Sequence, residues 1–178
     1  MSNPAAFFDR FHLDGGWPLQ DLKEENHRLR LEIMAREVAR APGAKRVLDL
    51  GCGNGELTRL FPRDRFRCGM DLALLALNQA RLFSLPVVAG DMEALPWRNA
   101  AWDGITCAGS LYYLQRPRRA LAEINRVLKP GGVAKILVAD GDLTSQVAIG
   151  KALAADGHVT RTAFTGEEAI QRFAGDHF

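Results

Sequence analysis

Short apolar runs alternate with stretches of helical periodicity along most of this chain. The runs Val47 to Leu50, Phe66 to Met70, Pro86 to Ala89, Gly104 to Ala108, Val133 to Ala139 and His158 to Phe164 give six strand candidates. Runs that are short and continuously apolar fit strands buried on both faces. Helical patterns lie between them at Glu56 to Phe61, Leu72 to Phe83, Arg118 to Leu128 and Thr144 to Ala155. The third of these aligns Leu121, Ile124, Val127 and Leu128 along one stripe that begins next to Pro117. A last helix starts at Thr165, with Glu168 three positions on at the capping-box spacing. This alternation predicts an α/β fold, a parallel sheet covered by helices on both faces.

Ahead of the first strand the pattern changes. Residues 1–18 hold Phe7, Phe8, Phe11 and Trp17 among Gly and Pro, which predicts an irregular aromatic lid or arm that is no long helix past Gly15, Gly16 and Pro18. From Leu19 to Arg40, Leu22, Leu29, Ile33 and Val38 recur at near-helical spacing among charges until Pro42-Gly43 stops them. An amphipathic entry helix is expected there.

A length of 178 residues suits one domain, and 47% hydrophobic with 25% charged residues excludes disordered, collagen-like and disulfide-scaffold classes. The 23 basic and 21 acidic residues leave a net charge of +2, which gives no general attraction to nucleic acid or an anionic membrane. Two arginine clusters, Arg63-Asp64-Arg65-Phe66-Arg67 and Arg116-Pro117-Arg118-Arg119, read as solvated loop charges in preference to phosphate contacts. Three cysteines without C-x-x-C spacing fit reduced thiols, and no metal site is expected. The first thirty residues carry Asp9, Asp14, Asp21, Glu24 and Glu25 and no long apolar run, so neither a secretory signal nor a membrane span is read and a cytoplasmic location is expected.

The chemistry-bearing segment follows the first strand. Val47-Leu48-Asp49-Leu50 runs straight into Gly51-Cys52-Gly53-Asn54-Gly55-Glu56, placing glycines at the carboxyl end of a strand and before a helix, where open parallel sheets bind ligands. Absent side chains let a ligand approach the backbone, and the N–H groups at the helix start are expected to point toward it. A dinucleotide loop G-x-G-x-x-G needs glycine at position 56, which is Glu56 here, and that carboxylate would repel a pyrophosphate. A cofactor without phosphates is favoured, and an NAD-dependent oxidoreductase is disfavoured. Asp71 lies 20 residues after Gly51 at the end of the second strand, where a carboxylate can accept two hydrogen bonds from a ribose diol or else cap the helix from Leu72 onward.

Val47 to Gly55 resembles the first motif of the class I S-adenosylmethionine-dependent methyltransferases. Ala89-Gly90-Asp91-Met92-Glu93-Ala94-Leu95-Pro96 is similar to that family's adenine-contacting segment, Trp102 to Leu111 to its fourth-strand motif, and Leu128-Lys129-Pro130-Gly131-Gly132 to the turn before its fifth strand. The resemblance covers residues 45–134 and implies a three-layer Rossmann-like methyltransferase fold, α/β with a mostly or wholly parallel six-stranded sheet. It implies S-adenosyl-L-methionine as cofactor, with Asp49, Gly51, Cys52, Gly53 and Gly55 at the amino-acid end and backbone near Ala108 and Gly109 assisting. It further implies Asp71 and Leu72 at the ribose, and Asp91 and Met92 at the adenine; read without it, Asp91 would start a short helix. The acceptor is expected to be a small molecule that the sequence leaves unidentified. Tyr112, Tyr113 and His12 are candidate proton acceptors, with packing the favoured reading of the tyrosines, and no catalytic base is named.

Residues 135–178 resemble the opening half of a response-regulator receiver domain, through Lys135 to Asp142, Leu153 to His158 and Ala163 to Ala169. Gly141 stands where receivers carry the second of two adjacent acids, so Mg²⁺-dependent phosphotransfer is not expected. Residues 1–178 are therefore read as one methyltransferase-like domain: an arm and helix at 1–44, a cofactor core at 45–134, and a receiver-like 135–178 completing the sheet. The expected strand order is 3-2-1-4-5-6 with a parallel sixth strand and without the family's usual antiparallel seventh. Two functions compete: methyl transfer to a small acceptor, and a non-catalytic binding or regulatory module that keeps the fold.

Overall fold

The computed structural model describes residues 4–13, 24–40 and 43–137. Helices α1 (Pro4–Leu13) and α2 (Glu24–Ala39) precede β1 (Arg46–Leu50), α3 (Glu56–Leu60), β2 (Phe66–Asp71), α4 (Leu74–Leu82) and β3 (Val87–Ala89). Then come β4 (Trp102–Ala108), a 3-10 turn at Leu111–Tyr113, α5 (Pro117–Val127) and β5 (Leu128–Leu137). The five strands form one sheet in the order β3-β2-β1-β4-β5, and every pairing is parallel. This is the expected order for the first five strands. The expected sixth strand, the helices at Thr144 to Ala155 and from Thr165, and all but the start of the receiver-like segment lie outside the described residues.

The apolar runs are buried because each face of the sheet carries a helical layer. Leu48, Leu50, Cys68, Met70, Ile105 and Cys107 form one core with Ala120, Leu121, Ile124 and Val127 of α5. Val47 joins Leu31, Met34, Ala35 and Val38 of α2 with Leu57 of α3 and Phe61 in the other. Trp102 is fully buried, lies parallel to the Phe66 ring at 5.9 Å and meets Trp97 edge-on at 5.3 Å. Burying one such large apolar side chain is worth about 1.5–3 kcal/mol.

Three elements depart from the sequence reading. The aromatic arm is not irregular throughout, because Pro4–Leu13 is helical ahead of the Gly15-Gly16 pair. Helix α4 starts at Leu74 and not Leu72, since Asp71 Oδ1 accepts the Ala73 N–H at 2.9 Å and holds the intervening residues in a turn. Strand β5 begins at Leu128, where the resemblance implied a turn over Leu128–Gly132. Leu128 pairs with Trp102, an irregularity between Trp102 and Gly104 absorbs the extra residues, and regular pairing runs from Gly104–Val133 to Ala108–Leu137.

Candidate functional site

The strand order reverses direction between β1 and β4, and the loops at the carboxyl ends there form the crevice where sheets of this kind take ligands. Four strands contribute. Gly51 follows β1 with φ +68°, and a Cβ on it would overlap the side chain of Ser110 and lie 3.6 Å from Met92 Cε. The segments after β1, β3 and β4 therefore converge on one point. Gly55, with φ +84°, starts α3 against Leu85, whose Cδ1 a Cβ would approach to 2.5 Å. Both positions need glycine for conformation and for space.

Four of the loop amides are bonded within the protein. The N–H groups of Gly51 and Cys52 both donate to Met70 O at 2.8 and 3.1 Å. Gly53 N–H donates to Asp71 Oδ2 at 2.8 Å, and Gly55 N–H to Cys52 O at 2.8 Å. A phosphate held by these four N–H groups would have to break their bonds, which disfavours a pyrophosphate against this part of the loop independently of Glu56.

Asp71 is half-buried and ties the loop to the start of α4 through Gly53 N–H and Ala73 N–H. A carboxylate accepts up to about four hydrogen bonds, and two are used here, by the glycine loop and by the turn ahead of α4, whose N-cap is Ala73. Leu72, next in the chain, is half-buried. Asp49 is different. It is 1% exposed, and its two oxygens accept from Thr58 Oγ1 at 2.7 Å and Thr106 Oγ1 at 2.9 Å. The register sets Asp49 directly beside Thr106, so the pair shares one face of the sheet. Burial pushes its carboxyl from 3.8 up to about 6, against the two hydroxyls, with the Asp71 charge pushing the same way. Asp49 therefore holds α3 and β4 together from beneath the loop and does not face the crevice directly. Thr58, Thr106 and Ser110, whose hydroxyl lies 3.4 Å from both Gly51 O and Ala108 O, were not picked out as site residues in the sequence.

Asp91 is exposed after β3, and its Oδ1 accepts the Glu93 N–H at 2.8 Å, which makes a turn and not a helix. Met92 is buried beneath the same loop. Gly109 takes φ +68° as the chain leaves β4, beside Ala108. Cys52 is buried, and desolvation drives its thiol far above the ordinary range, which makes it a packing residue. Of the candidate proton acceptors, Tyr113 sets its ring edge-on to Phe8 of α1 at 5.3 Å. The side chains of Tyr112 and His12 lie outside the described residues. Helix α1 is anchored a second time where Asp9 Oδ1 accepts the Leu75 N–H at 2.9 Å.

The second arginine cluster is not simply solvated. Arg116 donates to Glu93 through its backbone N–H at 3.0 Å and its Nε at 2.7 Å, and Arg119 Nε donates to Glu93 O at 2.9 Å. Only an acid two residues beyond Asp91 in sequence hinted at this partnership.

A family profile described as a methyltransferase domain matches residues 48–136, half of the chain. The chain belongs to the methyltransferase-domain family. A demethylmenaquinone methyltransferase of Renibacterium salmoninarum is 34% identical over 111 residues, which are 61% of this chain and 46% of that protein. A 2-phytyl-1,4-naphtoquinone methyltransferase of Thermosynechococcus vestitus is 33% identical over 150 residues, 77% of this chain and 64% of that protein. Among solved structures, SAM-bound CalS10, an amino pentose methyltransferase from Micromonospora echinaspora, is 30% identical with a TM-score of 0.55 over 66% of this chain and 56% of that one. The chain spans about half the length of several relatives it matches. The methyltransferase match takes in Lys135 and Ile136, the first residues of the segment that resembled a receiver, and it gives that second resemblance no support. Among the described residues no helix of this methyltransferase domain is long and apolar enough to cross a membrane, and no group of acids, histidines and cysteines is arranged to hold a metal.

Proposed function

We propose that this chain is an S-adenosylmethionine-dependent methyltransferase that passes its methyl group to a small-molecule acceptor. The observation that carries the reading is the glycine loop in which the Gly51, Cys52, Gly53 and Gly55 N–H groups are spent within the protein while Asp71 ends β2 and Asp91 follows β3, a site suited to a nucleoside without phosphates. The donor supplies an electrophilic methyl on a sulfonium, so the protein's task is to align a nucleophile with the carbon–sulfur bond and exclude water.

In this reading Gly51, Cys52, Gly53 and Gly55 give the amino-acid end close access to the backbone, with Ala108 and Gly109 across from them. Asp71 receives the ribose hydroxyls with the acceptor capacity left beyond Gly53 and Ala73, beside Leu72. Asp91 meets the adenine amine and Met92 supports the ring. Asp49 contributes negative charge behind the loop without contact. No residue is assigned as a base. Two relatives are named for naphthoquinone-type compounds, and a 1,4-naphthoquinol is therefore the first acceptor to try.

Calorimetric titration with S-adenosylhomocysteine, with NAD as control, tests the site. Micromolar binding of the thioether, none of NAD, and a loss of about tenfold or more in Asp71→Asn are expected, because a hydrogen bond to a charged group is worth about 1.5–3 kcal/mol. A folded sample that binds no thioether would sink the reading. Binding without turnover on any acceptor would favour the second reading, a module that keeps the fold for regulation.

A further inference from the structure

Helix α5 carries two stripes. Ala120, Leu121, Ile124 and Val127 face the core, while Arg119, Glu123 and Arg126 follow at helical i, i+4, i+7 spacing beside them. Every one of the three polar side chains binds backbone of the segment after β3. Arg119 Nε donates to Glu93 O at 2.9 Å. Glu123 Oε2 accepts the Leu95 N–H at 2.8 Å. Arg126 Nη2 donates to Leu95 O at 3.0 Å, and its Nη1 to Trp97 O at 2.8 Å and Asn99 Oδ1 at 3.0 Å. Arg126 and Glu123 also hold each other in a two-pronged pair, Nε to Oε1 and Nη2 to Oε2, both at 2.7 Å. The guanidinium keeps the Glu123 carboxyl below the usual carboxylate range.

Such an arrangement costs four side chains their rotamer freedom, counting Arg116 on Glu93, for a segment with no strand of its own. This network stabilises the fold more than an isolated surface pair would, yet stability alone does not require all its members to meet one segment. Its geometric effect is specific. Backbone groups at Glu93, Leu95 and Trp97 are fixed to a rigid helix immediately after Asp91 and Met92, while the preceding Gly90 N–H is fixed to Asp71 O at 3.0 Å. Asp91 and Met92 are held from both sides.

We infer that Glu123 and Arg126 are positioning residues for the nucleoside base, setting the place of Asp91 and Met92 from helix α5 without touching the ligand themselves. The inference rests on the proposed cofactor reading and extends it to residues outside the crevice. Planar two-pronged contacts of this kind are made by arginine and not by lysine, so Arg126→Lys should not restore what Arg126→Met loses.

The test combines amide hydrogen exchange with titration of S-adenosylhomocysteine into the full chain, at a temperature where every variant is folded. Glu123→Ala and Arg126→Met should speed exchange of the amides of residues 92–95 and 97 with strand β1 unchanged, and weaken binding by about tenfold. Arg126→Lys should stay within about threefold of Arg126→Met. Asp103→Asn, which breaks the Lys129–Asp103 pair of 2.7 Å at the other end of the sheet, should leave affinity unchanged. Faster exchange with affinity kept within twofold overturns the inference, as does unchanged exchange, or an equal loss in Asp103→Asn. Failure of the unsubstituted protein to bind sinks the cofactor reading instead, and is distinguishable on that ground.

Discussion

Replacing Asp49 with asparagine should make the protein more stable near neutral pH, although the residue lies under the site. The side chain keeps its shape, Thr58 can still donate to the amide oxygen, and Thr106, which also lies 3.4 Å from Leu48 O, can donate there and accept from the new N–H₂. The carboxyl rises from 3.8 to about 6 on folding because burial disfavours its charge. The folded state therefore binds this proton more tightly than the unfolded chain. The stability it contributes is full below about pH 3.8 and lost as pH rises through about 6, a total of about 3 kcal/mol. Roughly 1.4 kcal/mol of that falls between about pH 5 and pH 8. Urea unfolding of both proteins across this range should show the variant's advantage growing by about that amount toward pH 8. Parallel curves, within about 0.5 kcal/mol, would refute the reasoning. If the buried charge serves a cationic ligand, the same variant should bind S-adenosylmethionine more weakly while unfolding at higher urea, a trade between stability and function.

Further substitutions probe the loop and the core. Gly51→Ala forces a non-glycine φ of +68° and an overlap with Ser110, so a loss of about 2 kcal/mol or more is expected in urea unfolding, with Ser110→Gly recovering the steric part only. Trp102→Ala should cost about 3–5 kcal/mol by the same assay, since the indole is fully buried between Phe66 and Trp97; a cost under about 1 kcal/mol would contradict that packing. Cys52, Cys68 and Cys107 are all buried and their thiols pushed up, so a thiol reagent should modify none in the native protein at neutral pH and all three in urea. Rapid native labelling of one cysteine would mean that the loop opens.

The order of elements was legible because a parallel sheet buried on both faces writes itself as short apolar runs. Glycines and acids at strand ends were legible for a related reason, since few other residues tolerate those positions. What could not be read depends on register. Nothing in a linear pattern sets Thr106 beside Asp49, or aligns Arg119, Glu123 and Arg126 with a segment some thirty residues earlier. The start of β5 was missed because Lys129-Pro130-Gly131-Gly132 has turn chemistry, yet the irregular pairing after Leu128–Trp102 takes it into the strand. Helix α1 was read as irregular since Gly15, Gly16 and Pro18 dominate its surroundings, while its anchors, Asp9 on Leu75 and Phe8 on Tyr113, are distant in sequence.

The internally bonded amides of Gly51, Cys52, Gly53 and Gly55 bear on competition inside a cell. Adenine nucleotides and dinucleotides are abundant there and share the adenosine moiety of the proposed cofactor. A crevice that offered free N–H groups to phosphates would be occupied by them much of the time. With those four amides already bonded to Met70, Asp71 and Cys52, such compounds gain no hydrogen bond from them for their charged tails and carry the cost of desolvating the tails near Asp71 and Glu56. Occupancy should then follow the supply of methyl donor and the removal of its spent thioether, and stay indifferent to the energy state of the cell.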